Sequence, residues 1–99
     1  MLPTFALALL LAAATATPAP VPLPEPGIFA FNWLDPHSQC RKLAAKDLRT
    51  IKSCERSDYA FDAKSKSLMC KVNAKVELMV YDTAAQCQEG LEAMLANGD

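Results

Sequence analysis

The sequence predicts an α+β domain: a small disulfide-stapled two-layer sandwich of order β-α-β-β-β-α, with two helices on one face of a mainly antiparallel sheet. Three observations lead there. Residues 68–81 alternate apolar side chains with others over fourteen positions, the period of a strand. Segments after Asp35-Pro36 and after Thr83 carry apolar residues at helical i, i+3, i+4 spacing. The chain also holds 4 cysteines, and a core of about 70 residues is marginal without cross-links.

Composition bounds the reading. The 99 residues are 52% hydrophobic and 21% charged with a net charge of −1. Of the first 16 residues, 13 are apolar, so the remaining chain has an ordinary globular balance rather than a disordered one. The near-zero charge argues against a general nucleic-acid-binding polycation.

Residues 5–14 form an unbroken apolar run, shorter than the roughly 20 residues of a membrane helix. Ala14-Thr15-Ala16 follows as a small-x-small site. This is the pattern of a secretory signal over residues 1–16, cleaved after Ala16, and it places the mature protein outside the cell. No Lys or Arg precedes Arg41, which tilts the source toward a eukaryote. Residues 17–26 read Thr-Pro-Ala-Pro-Val-Pro-Leu-Pro-Glu-Pro, an extended polyproline-type stretch outside any core. Two readings stand: a retained spacer, or a pro-region of X-Pro pairs of the kind that dipeptidyl aminopeptidases trim. The domain itself spans residues 27–99.

Its elements follow in order. Residues 28–34, with Phe29, Phe31 and Trp33, read as a first strand. Asp35-Pro36 then caps an amphipathic helix whose apolar positions are Cys40, Leu43, Ala44, Leu48 and Ile51. Tyr59 and Phe61 suggest a short second strand. A turn at Lys64-Ser65 would set Phe61 against Leu68 and Tyr59 against Cys70. A single strand over residues 68–81 would span about 45 Å, too long for so small a domain. A three-residue turn at Asn73-Ala74-Lys75 folds it into a hairpin, with Val72 opposite Val76 and Cys70 opposite Leu78. Thr83-Ala84-Ala85-Gln86 is a capping-box pattern. It opens a second helix with Ala84, Cys87, Leu91, Met94 and Leu95 on one face, ended by Asn97-Gly98. Gly90 weakens that helix by roughly 1 kcal/mol relative to Ala.

The cysteines Cys40, Cys54, Cys70 and Cys87 are separated by 13, 15 and 16 residues with His37 as the sole histidine. Zinc sites favour close cysteine pairs and histidine partners, so two disulfides are expected and no metal or other cofactor. A helix between Cys40 and Cys54 would hold them about 20 Å apart, against the roughly 7 Å limit on bridged Cα atoms. Chain direction then brings Cys54 to the end of the meander that holds Cys70, and Cys40 to the end where the second helix begins. The expected pairs are Cys54–Cys70 and Cys40–Cys87.

Charge is uneven. Residues 41–75 hold 10 basic and 4 acidic side chains, and residues 76–99 hold 5 acidic and none basic. Lys42, Lys46 and Arg49 form a candidate binding face for an anionic partner, and Phe29, Phe31 and Trp33 a second candidate should they share an exposed side. General acid–base work by His37 with Asp35, Glu55 or Asp58 is the enzymatic alternative, without a nucleophile motif or phosphate loop to support it.

The layout of apolar leader, X-Pro stretch, short domain and even cysteine count resembles small secreted cysteine-containing proteins of filamentous fungi. These include effector-like, virulence-associated proteins, some with a killer-toxin-like α/β sandwich. The resemblance implies a host- or competitor-directed binding role and carries over no functional residue. The first expectation is therefore a monomeric extracellular protein that recognises a protein, membrane-surface or cell-wall target of another organism. Nucleic acid is disfavoured as that target. A small ribonuclease-like hydrolase and a membrane-active toxin are the alternatives.

Overall fold

The computed structural model describes residues 21–97. The leader over 1–16, the first X-Pro pairs and the helix stop at Gly98 lie outside the described residues. Strand β1 is Phe29–Asn32, β2 is Arg41–Lys42, helix α1 is Ala45–Leu48, and β3 is Ser53–Arg56. A 3-10 turn at Ala60–Asp62 leads to β4, Leu68–Asn73, then β5, Val76–Tyr81, and helix α2, Ala84–Asn97. The strands form one antiparallel sheet in the order β2-β1-β5-β4-β3. The α+β class stands, with one antiparallel sheet, two helices and two disulfides among the described residues.

Strand β5 sits at the centre and residues 77–81 are all buried. One of its faces, Leu78 and Val80, packs with Ala30, Cys70, Leu43 and Ile51. The other, Met79 and Tyr81, packs with Phe31, Cys87, Leu91 and Met94. The sheet is thus covered on both faces. The alternation carried this possibility, because its second set of positions includes Met69, Met79 and Tyr81, which are themselves apolar.

The helix after Asp35-Pro36 is the main departure. Asp35 builds a turn instead, accepting the His37 N–H through Oδ1 at 2.9 Å and the Ser38 N–H through its carbonyl at 3.0 Å. The apolar spacing joined residues with different destinations. Cys40 goes to the α2 face, whereas Leu43, Leu48 and Ile51 go to the opposite face. Strand β2 carries the chain around the sheet edge between them. Only one helical turn, α1, remains, and it lies on the face opposite α2.

The first strand of the meander also moves. Ser53–Arg56 pairs with β4, Cys54 facing Cys70 and Arg56 facing Leu68. Tyr59 and Phe61 instead lie in the following loop, where Tyr59, Phe61 and Asp62 hold φ of 61°, 58° and 65°. Such left-handed backbone costs roughly 1–2 kcal/mol per residue. Contacts with α2 and with Trp33, just past β1, hold it in place. Asn97 Nδ2 donates to Phe61 O at 3.2 Å, the Lys64 N–H donates to Glu89 Oε1 at 3.0 Å, and the Phe61 ring lies 6.1 Å from Trp33.

In the hairpin, Cys70 faces Leu78 as expected, but Asn73 rather than Val72 faces Val76. A register shift between Lys71 and Asn73 absorbs one residue, so the turn is Ala74-Lys75. Asn73 Oδ1 accepts the Lys75 N–H at 2.8 Å and shapes it.

Helix α2 begins where the sequence places it. Thr83 Oγ1 accepts the Gln86 N–H at 3.1 Å, the N-cap bond. The reciprocal half of the capping box is not made, and Gln86 Oε1 is buried without a hydrogen-bond partner among the described residues. Cys87, Gly90, Leu91 and Met94 face the sheet, while Leu95 is 53% exposed. Gly90 serves contact rather than flexibility: a Cβ there would run into the hydroxyl and Cζ of Tyr81.

The disulfides are Cys40–Cys87 and Cys54–Cys70, with Cα–Cα distances of 6.1 and 4.1 Å. These are the expected pairs, one on each face of the sheet.

Two stability measurements follow. Gly90→Ala is expected to lower the unfolding free energy by about 1–3 kcal/mol, opposite in sign to the helix-propensity gain of about 1 kcal/mol. In a Tyr81→Leu background the penalty should disappear in urea titrations. A stabilised Gly90→Ala single variant would refute the close packing. Removing Cys40–Cys87 as the paired alanine variant should cost about 4 kcal/mol and Cys54–Cys70 about 3, following the lengths of the loops closed. The reverse order in denaturant midpoints would contradict that entropic account.

Candidate functional site

The six candidate contact residues fall into two groups on opposite sides of the sheet. Phe29, Phe31 and Trp33 do share a face, but it is the one covered by α2 and the loop after β3. Phe31 is 1% exposed and stacks on Tyr81 with ring centroids 6.1 Å apart. Trp33 is half-buried, and its Nε1–H donates to Glu77 Oε1 at 2.8 Å. An exposed aromatic patch is therefore ruled out at these positions. The strand alternation fixed their common face, but only the position of α2 decides that this face is inward.

Lys42, Lys46 and Arg49 are exposed. Lys42 stands on the edge strand β2, Lys46 on α1, and Arg49 caps α1 at its C-terminal end. Leu43 and Ile51 bury their side chains between and beyond these cations, with Leu48 packed against the same cluster. Three apolar anchors thus hold a short surface segment whose polar side chains point to water. Lys52, next in the chain, is also exposed, and its N–H donates to Lys71 O at 2.8 Å. In a helix running through this segment Lys52 would share the side of Leu48, so the apolar spacing alone does not mark it as exposed.

Two of the basic residues in this region are already engaged. Arg41 pairs with Asp47 at 3.1 Å, and Arg56 with Asp58 at 3.1 Å. Among the described residues, Lys42, Lys46, Arg49 and Lys52 make no ion pair. Asp47 secures the segment from within, as its Oδ2 accepts the Ala44 N–H at 2.8 Å. That bond, with the nearby Arg41 guanidinium, holds the Asp47 carboxyl below its ordinary range. On the opposite face of the sheet, burial pushes the Tyr81 phenol above its usual pKa, with the Glu89 charge adding to the shift. The Ser67 hydroxyl donates to Ser57 O at 2.6 Å.

The arrangement suits His37 poorly to catalysis. Asp35 accepts its backbone N–H, not its imidazole. Glu55 and Asp58 lie on and just beyond β3, at the far edge of the sheet from β2. The three pairings weighed from sequence are thus not formed. Glu77, the one acidic residue among the buried polar side chains, is tied to Trp33 and braces β1.

Chemically, exposed ammonium and guanidinium groups on an anchored segment can bind carboxylate, sulfate or phosphate oxygens. Comparison with known proteins adds no kinship. No family model matches the chain, and no curated protein or solved structure matches it.

The Asp47 geometry sets a pH dependence. Its folded-state pKa is depressed, so its contribution to stability is present above the unfolded carboxylate range and lost as pH falls through the folded value. An NMR titration should find Asp47 protonating below an ordinary aspartate, and Asp47→Asn should remove this part of the acid sensitivity. An Asp47 that titrates at or above the ordinary range would show that the Ala44 bond is not made in solution.

Proposed function

We propose that this chain is a secreted, effector-like recognition protein that binds an anionic surface of another organism through Lys42, Lys46, Arg49 and Lys52, without catalysis. The observation that carries the reading is the combination of free cations and fixed backbone. Four exposed basic side chains, unpaired among the described residues, stand on a segment pinned by Leu43, Leu48 and Ile51. A pinned segment loses little backbone entropy on binding, and unpaired surface cations steer an anionic partner at long range.

Extracellular location belongs to the same proposal. The leader pattern supports it, and so do two disulfides, which persist in oxidising compartments. No helix among the described residues is long and apolar enough to cross a membrane.

Retention on immobilised heparin, a sulfated polysaccharide standing in for an anionic cell-surface or cell-wall glycan, tests the reading. The protein should bind at low salt and elute as salt screens the contact. The triple variant Lys42→Gln, Lys46→Gln, Arg49→Gln should elute at distinctly lower salt. Its unfolding free energy should stay within about 0.5 kcal/mol of the parent, as for other surface changes. Equal retention of parent and variant would remove this face from the proposal.

A further inference from the structure

We propose that residues 17–26 are removed as five X-Pro dipeptides and that Gly27 is the amino terminus of the working protein. This rests on the secretory reading of residues 1–16. The first argument is register. Cleavage after Ala16 sets the pairs Thr17-Pro18, Ala19-Pro20, Val21-Pro22, Leu23-Pro24 and Glu25-Pro26, with proline second in each. A frame displaced by one residue would put proline first throughout.

The second argument is where the fold begins. The Gly27 N–H donates to Leu43 O at 3.0 Å, and the Leu43 N–H donates to Ile28 O at 2.7 Å. Gly27 turns the chain into this ladder with φ of +97°, a conformation that L side chains rarely adopt. Residues 21–26, by contrast, make no hydrogen bond with other described residues. Pro22, Pro24 and Pro26 have no N–H to give, and Leu23 is 50% exposed. The segment is open to an aminopeptidase up to the residue where the sheet takes hold. The following pair, Gly27-Ile28, has neither proline nor alanine in second place, so chemistry and structure stop the trimming at one position.

Each cycle adds one water across a Pro–Xaa peptide bond, frees one dipeptide and leaves a new α-amino group. Five cycles end at the Gly27 ammonium, which keeps donors for Leu43 O. The removal also changes the surface. Pro24 and Glu25 wall a hollow over Ile28, Leu68 and Val80, with Arg56 and Lys66 beside it. Trimming uncovers these side chains and takes away Glu25, the one charged side chain in residues 1–26. The formal net charge moves from −1 to 0, since residues 27–99 hold 10 basic and 10 acidic side chains.

The test is the intact mass of protein recovered from the medium of a eukaryotic host that expresses the full chain. The host must carry an X-Pro dipeptidyl aminopeptidase in its secretory pathway, and a strain lacking that enzyme runs alongside. The expected starts are Gly27 with the enzyme and Thr17 without it. Pro22→Gly should halt trimming at Val21 in the enzyme-bearing host. A start other than Gly27 for the parent in that host, or a Gly27 start that persists without the enzyme or in the variant, overturns the proposal and leaves secretion standing. Absence of the protein from the medium defeats the secretory reading and the trimming with it.

Discussion

A central strand buried on both sides is the constraint on which the rest of this structure depends. Residues 77–81 of β5 face one core through Leu78 and Val80 and another through Met79 and Tyr81. Both need covers, and the chain is short. One cover is the 14-residue helix α2; the other is the loop and single turn of residues 43–51. A 4-residue helix has no stability of its own, so this second cover exists only because Leu43, Leu48 and Ile51 find partners on the sheet. Each face also holds one disulfide. Cys40–Cys87 fastens the start of α2 to the chain entering β2, and Cys54–Cys70 fixes the outer strand β3. In so small a core, the cross-links restrict the unfolded chain where apolar burial alone is limited.

Much of this was legible in the sequence, and the failures share a cause. The residue pattern around Cys70, Leu78 and Val80 gave the hairpin face, and Thr83 with Cys87, Leu91 and Met94 gave α2. Both are local periodic signals that tertiary contacts reinforce. Between Cys40 and Ile51 the spacing is equally helical, yet the residues serve two different cores. Periodicity records which residues are apolar, not which of two faces they join. Strand β3 was hidden for the opposite reason. Ser53, Cys54, Glu55 and Arg56 have little strand character, and the Cys54–Cys70 bond, not local preference, fixes their pairing. The outward or inward sense of Phe29, Phe31 and Trp33 depended on α2, which the strand pattern alone does not place.

Trp33 shows how a residue that resembles a surface anchor becomes a brace. Past Asn32 the β1–β5 ladder would end. The Trp33 N–H instead donates to Glu77 O at 3.2 Å, and the Trp33 indole donates to the Glu77 carboxylate. Asn32 completes the junction: its Oδ1 accepts the Glu77 N–H at 3.0 Å and its Nδ2 donates to Lys75 O at 3.0 Å. A charge-assisted bond shielded from water is stronger than an exposed one. A carboxylate at a buried position of β5 is satisfied by these neighbours, and the indole held there gives the Phe61 loop a surface to pack on.

The same economy explains why the cations sit where they do. An apolar plug that must cover one face leaves its remaining side chains to solvent, and in residues 41–52 those include five basic ones. Asp47 holds Arg41 and the Ala44 N–H, so it stiffens the turn while neutralising one of the five. Helix α2, with Glu89 and Glu92 and no basic residue, packs on the other face of the sheet and leaves the others unpaired among the described residues. Charge separation is therefore a product of the two-cover architecture, because the covers differ in composition and the sheet stands between them. A partner carrying anionic groups would meet a surface whose backbone was ordered by folding rather than by binding, and that is the property recognition by so small a protein requires.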